Sequence, residues 1–176
     1  MTIKNPKVFI SYSWEDEQHL NWVKSLADRL LANGVDASID QYDLVLGDRL
    51  PQFMEQQITA SDFVIIVCTK TYKEKANSRT SGVGYEGHII SDELLTGKNE
   101  RKFIPVIKDG RVYEVLPTFL SGKLSIDLSN DEYFEKGFDN LLRTIFGVKK
   151  KPAVGEIPKK IKKVHYYLLV KMKVKI

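Results

Sequence analysis

Phe63-Val64-Ile65-Ile66-Val67-Cys68 is the longest purely apolar run in the chain. Six residues dominated by β-branched side chains, apolar at both alternate sets of positions, read as a strand buried on both faces at a sheet centre. Working outward, Lys7-Val8-Phe9-Ile10-Ser11, Val35 to Ile39, Lys102 to Ile107 and Leu124 to Leu128 read as further strands. Leu20, Val23, Leu26, Ala27, Leu30 and Leu31 recur at helical spacing, and Asn33-Gly34 supplies a stop. Ser13-Trp14-Glu15-Asp16 has the spacing of a capping box at that helix's start. Pro51 suits a first helical turn, with Phe53, Met54, Gln57 and Ile58 continuing the period. Two more helices are expected from about Tyr85 to Leu95 and from Tyr133 to Phe146, while 40–50, 69–84 and 109–122 read as polar connections.

Strand–helix alternation around doubly buried strands predicts an α/β fold, a flavodoxin-like doubly wound parallel sheet of about five strands. Such sheets bind ligands outside the carboxyl ends of the strands, at the point where strand order reverses. The loops at 11–16, 40–50 and 69–86 are therefore the places to look.

A chain of 176 residues, 43% hydrophobic and 28% charged, suits one folded domain rather than a disordered segment. Its longest apolar run falls far short of the ~18–20 residues that cross a bilayer, and the N-terminus lacks a signal pattern. A cytoplasmic protein without a membrane partner is the expectation. Residues 149–176 carry ten lysines and one glutamate, a charge of +9, so residues 1–148 carry −5. The basic balance belongs to the tail, and the main domain is not expected to bind nucleic acid. The division is thus a domain over 1–148 and a basic linker or tail over 149–176, or the stub of a following domain.

Several chemistries lack their residues. There is no phosphate-cradling Gly-x-x-x-x-Gly-Lys-Ser/Thr loop, no Gly-x-Gly-x-x-Gly after the first strand, and no Gly-x-Ser-x-Gly elbow. The central strand ends in Cys68-Thr69, without the aspartate of a phospho-receiver domain. His19, His88 and His165 have no metal-ligand spacing, and the single cysteine, Cys68, reads as a small core hydrophobe.

Phe9-Ile10-Ser11-Tyr12-Ser13-Trp14-Glu15-Asp16 resembles the first box of TIR domains and of their SEFIR relatives. Asp40-Gln41-Tyr42-Asp43-Leu44 through Gly47 and Leu50, then Ile58 to Ser61-Asp62-Phe63, is similar to the second box, the BB loop with its helix and strand. Lys73 to Ala76, Arg79 and Gly82-Val83-Gly84-Tyr85-Glu86 resemble a segment of prokaryotic members, and Pro105-Val106-Ile107, Leu116 to Leu120 and Ile126-Asp127-Leu128 continue the series over residues 6–147.

The resemblance implies either cleavage of the nicotinamide–ribose bond of NAD or homotypic TIR–TIR assembly in signalling, with NAD as substrate and no cofactor or metal. It further implies activation by self-assembly, a sensor domain or partner protein, and a role in prokaryotic immune defence. Glu86 matches the catalytic glutamate by position; an acid in a helix's first turn is also what the macrodipole favours. The tryptophan that catalytic members often carry four residues earlier is replaced by Gly82, leaving Tyr85 to supply an aromatic wall, and Glu93 is a weaker alternative acid. Ser11, Tyr12, Ser13 and Trp14 are the substrate-binding candidates after the first strand, with Ser13 equally readable as a helix cap. Asp40 and Asp43 are candidates for ribose hydroxyls or for loop capping, and Arg49 for the adenine side or plain solvent.

Overall fold

An apolar strand needs ladder partners for every backbone N–H and C=O, and Phe63–Cys68 (β3) finds them on both sides. The structure, a computed structural model, describes residues 4–78, 100–148, 151–152 and 154–161. Within them β3 pairs in parallel with Lys7–Ser11 (β1) and Phe103–Ile107 (β4). Asp36–Ser38 (β2) adds outside β1 and Ile126–Asp127 (β5) outside β4, giving a five-stranded parallel sheet of order β2-β1-β3-β4-β5. The expected doubly wound α/β architecture is the one observed.

Alternation along β3 divides the core. Ile65 and Val67 face a layer made by Glu17–Ala32 (α1) and Asp131–Ile145, the last helix. Val64, Ile66 and Cys68 face the other layer, made by Leu50–Ala60 (α3) and Lys70–Ser78 (α4). All five side chains are fully buried, and burying each valine or isoleucine is worth about 1.5–3 kcal/mol. Burial also pushes the Cys68 thiol up to about 12, so the cysteine is an inert packing residue.

The elements depart from the sequence reading in a few places. The N-cap of α1 is Asp16, whose carboxylate accepts from the His19 N–H at 2.7 Å; Ser13 lies outside the helix and caps nothing. The 40–50 segment opens with a helical turn, Asp40–Asp43 (α2), and Gly47 takes a positive φ of 102° in the loop beyond it. Residues after β3 form α4, although that stretch is polar, because Tyr72 and Ala76 alone bury its inner face. A further turn, Val112–Val115 (α5), interrupts the 109–122 connection, and the last helix is α6. The expected helix at 85–95 and the alternating segment 165–176 lie outside the described residues.

Helix α6 rests on the edge strand through Gly137. A Cβ built there would sit 2.5 Å from the Asp127 carbonyl oxygen and 2.6 Å from Leu128 Cδ2. Backbone cannot retreat as a flexible side-chain end can, so Gly137→Ala is expected to destabilise the domain by about 1–3 kcal/mol. Chemical denaturation of the two proteins checks this, and an unchanged midpoint would refute the close approach.

Candidate functional site

The chain leaves β1 toward one edge of the sheet and leaves β3 toward the other, so the strand order reverses between them. The loop after β1, the turn after β2 and the start of α4 meet at this carboxyl end. Sequence reasoning placed Ser11, Tyr12, Ser13, Trp14 and Asp40 here, and the structure brings these five together.

Asp40 is the hub. It is 5% exposed, held in the first turn of α2, and both its oxygens are engaged. Oδ1 accepts from the Tyr12 hydroxyl and from the Gln41 N–H at 2.8 Å. Oδ2 accepts from Trp14 Nε1 at 2.7 Å, and the Gln41 amide reaches back to the Tyr12 oxygen at 2.8 Å. A buried carboxylate with three donors is well compensated, and it holds the exposed Trp14 ring by its Nε1. Ser11 lies deeper and shares a 3.0 Å hydrogen bond with the hydroxyl of the buried Tyr72.

The second centre was not singled out from the sequence. Glu15 Oε1 accepts from the Ser13 hydroxyl and from Thr69 Oγ1 at 2.6 Å, so this carboxylate bridges the loops that follow β1 and β3. Thr69 meanwhile accepts from the Tyr72 N–H at 3.0 Å and caps α4, while Lys75 Nζ donates to the Trp14 carbonyl at 2.9 Å. Burial would raise the Glu15 carboxyl, but the Ser13 and Thr69 hydroxyls, helped by His19 and Lys108, outweigh it and hold the group below its ordinary range. A signal existed in the sequence: Glu15 sits inside the first box, and Thr69 is the first residue beyond the central strand.

His19 lies beneath Glu15, 1% exposed, its Nε2 3.9 Å from Glu15 Oε1 and its ring 6.0 Å from that of Tyr12. Neither ring nitrogen has a hydrogen-bond partner among the described residues. Burial dominates and, with Lys108, lowers its pKa; the Glu15, Asp109 and Asp16 carboxylates offset this only in part.

The other candidates stand apart. Asp43 accepts from Ser38 Oγ at the end of α2, and Arg49 is exposed at the N-cap of α3. Tyr42 turns to α1, donating to Asp28 with Lys24 Nζ 5.4 Å from its ring centroid. Glu86, Tyr85, Gly82 and Glu93 lie outside the described residues. A cleft of about 1260 Å³ opens at the opposite edge, where β3, β4 and β5 begin, lined by Phe63, Phe103 and Ile126. No helix among the described residues is long and apolar enough to cross a membrane.

A sequence profile described as the TIR domain matches residues 8–142, from the first strand into the last helix. The chain belongs to the TIR domain family. Among solved structures, this TIR domain is similar to a prokaryotic SEFIR domain, 36% identical, with a TM-score of 0.68, covering 86% of this chain and all of that one. The TIR domains of the activated Roq1 resistosome share the fold, at 19% identity and a TM-score of 0.60, covering 81% of this chain and all of that one. A protein named NAD(+) hydrolase TcpA, from a Theionarchaea archaeon (strain DG-70-1), is 28% identical over 147 residues. That match takes in 84% of this chain but only 41% of the relative's length.

Two outcomes test the site's electrostatics. Replacing Asp40 by Ala strands the Tyr12 and Trp14 donors and is expected to cost about 1–3 kcal/mol of stability, with a change in tryptophan fluorescence; a silent variant would refute the hub. Folded His19 holds a proton less readily than its unfolded value near 6.5. The unfolded chain therefore binds more protons, and stability is full above that value and lost as the pH falls through it. Melting temperature is expected to drop as the pH is lowered below about 6.5, and His19→Phe should flatten that part of the slope. An identical slope in the variant would show that His19 is not the linked group.

Proposed function

We propose that this TIR domain is an NAD glycohydrolase, cleaving the nicotinamide–ribose bond to release nicotinamide and ADP-ribose or a cyclic isomer. The likeness to the archaeal NAD(+) hydrolase carries this reading, because it runs through 84% of this chain. The loop geometry supports it, since the first-box loop, the Asp40 turn and the cap of α4 converge at the switch point, where open α/β sheets bind ligands.

In this reaction the C1′–N bond breaks and its electron pair passes to the pyridinium nitrogen, so nicotinamide leaves neutral without a general acid. Water then adds to C1′ and releases a proton. The barrier lies in the oxocarbenium-like ribose, as in other glycoside cleavages. Glu86 is the carboxylate assigned to orient the ribose hydroxyls and oppose that growing charge, a kind of contribution worth roughly 3–4 kcal/mol for one well-placed group. Trp14, held by Asp40, offers a ring edge of the site. Self-assembly would complete the site, and NAD depletion would serve prokaryotic defence.

One observation favours a second reading, a homotypic interaction module. Val45 and Leu46 are exposed at 65% and 106% on the BB loop, apolar side chains that a neighbouring copy would cover, and the SEFIR likeness fits that role too.

Concentrated, clustered protein incubated with NAD decides between them, with nicotinamide followed by chromatography. The wild type is expected to turn over and Glu86→Gln to lose at least ~100-fold in kcat. Equal turnover by both removes Glu86 from the mechanism; no turnover from verified assemblies leaves the interaction module.

A further inference from the structure

The carboxylate that spans the β1/β3 switch uses only half of its capacity. Glu15 Oε1 takes both hydroxyls, Ser13 and Thr69, and is also the oxygen nearest His19. No donor among the described residues reaches Oε2, and 20% of the side chain remains open to solvent. No lysine or arginine comes within ion-pair distance of Glu15 among those residues, and Lys108 Nζ lies 3.6 Å from Asp109 instead. The His19 ring lies 3.9 Å from Oε1 and makes no hydrogen bond to either oxygen, and burial lowers its pKa. A latch between two loops needs only an acceptor, and a glutamine oxygen would serve both hydroxyls equally well. The negative charge is in excess of that task. A fixed, partly desolvated carboxylate with one oxygen unbonded and no ion-pair partner at contact distance favours a cation that enters beside it.

Resting on the NAD reading above, we propose that Glu15 is the specificity-determining residue for the nicotinamide end of the substrate. Its free oxygen accepts from the carboxamide N–H, and its charge selects a cationic pyridinium over the uncharged dihydropyridine of the reduced dinucleotide. Ser13 and Thr69 act through it, because their hydroxyls fix one oxygen and leave the other free, while the buried His19 ring bonds to neither. The carboxylate is thus preorganised before substrate arrives, and no reorganisation is required on binding.

The test compares NAD with NADH on the clustered full chain, by calorimetric Kd for both and by KM and kcat for NAD. Wild type is expected to bind NAD more tightly than NADH, and equal affinities would overturn the proposal without any variant. Glu15→Gln keeps both hydroxyl bonds and removes the charge. It should raise Kd and KM for NAD roughly tenfold or more, leave kcat within about threefold and leave NADH binding where it was. Glu15→Asp keeps the charge and should keep the preference for the oxidised form, which a purely structural latch would not predict. If Glu15→Gln matches wild type for NAD while Glu86→Gln abolishes turnover, the glycohydrolase stands and the role of Glu15 does not. If clustered wild type neither binds nor cleaves NAD, both fall.

Discussion

Everything in this domain follows from a strand that is apolar on both sides. β3 cannot leave either face to water, so helices must cover the sheet twice, α1 and α6 on one side and α3 and α4 on the other. Covering both faces from one chain forces the connections to run outward in both directions from the middle. The reversal point then falls beside the most hydrophobic strand, where β1 and β3 lie next to each other with their loops diverging. The switch point is a geometric by-product of hydrophobic coverage, and polar side chains collect there because the strand ends present backbone and loop groups to one another.

Two carboxylates organise the loops at that switch point in different ways. Asp40 is buried with both oxygens engaged, so its charge is spread over the Tyr12, Trp14 and Gln41 donors, and it acts as scaffold. Glu15 is satisfied on one oxygen and open on the other, and it lies across the gap rather than on one bank. The difference is one of remaining capacity: a saturated acceptor holds structure together, whereas a half-used one has bonding left for a ligand. His19 adds a cost that the fold tolerates, two ring nitrogens buried without partners among the described residues. Such unsatisfied groups in a folded protein concentrate where binding or switching takes precedence over stability.

The outer surface shows a second division. The α1–α6 seam is closed by Arg29, which pairs with both oxygens of Glu135 at 2.8 Å and stacks over Phe134 and Phe138. The BB loop, by contrast, carries Val45 and Leu46 into solvent with only Asp48 Oδ2 and the backbone folding it back on itself. Rigid scaffold and uncovered apolar tip are thus separated in space.

Periodicity and composition determined the layers, the parallel sheet, its central strand and the inward face of the last helix, because these depend on which side chains avoid water. The motif series likewise marked the first-box loop and Asp40, since strand ends are legible once the strands are. Local polar pairing was another matter. Ser13 and Asp16 share a capping box's spacing, yet only the fold decides that Asp16 caps and Ser13 turns to Glu15. Helix α4 was hidden because its sequence is polar and its stability comes from Tyr72 and Ala76 packing under the sheet. The Glu15–Thr69 bond joins residues 54 positions apart, and no short-range pattern encodes a contact made only when two strands lie side by side.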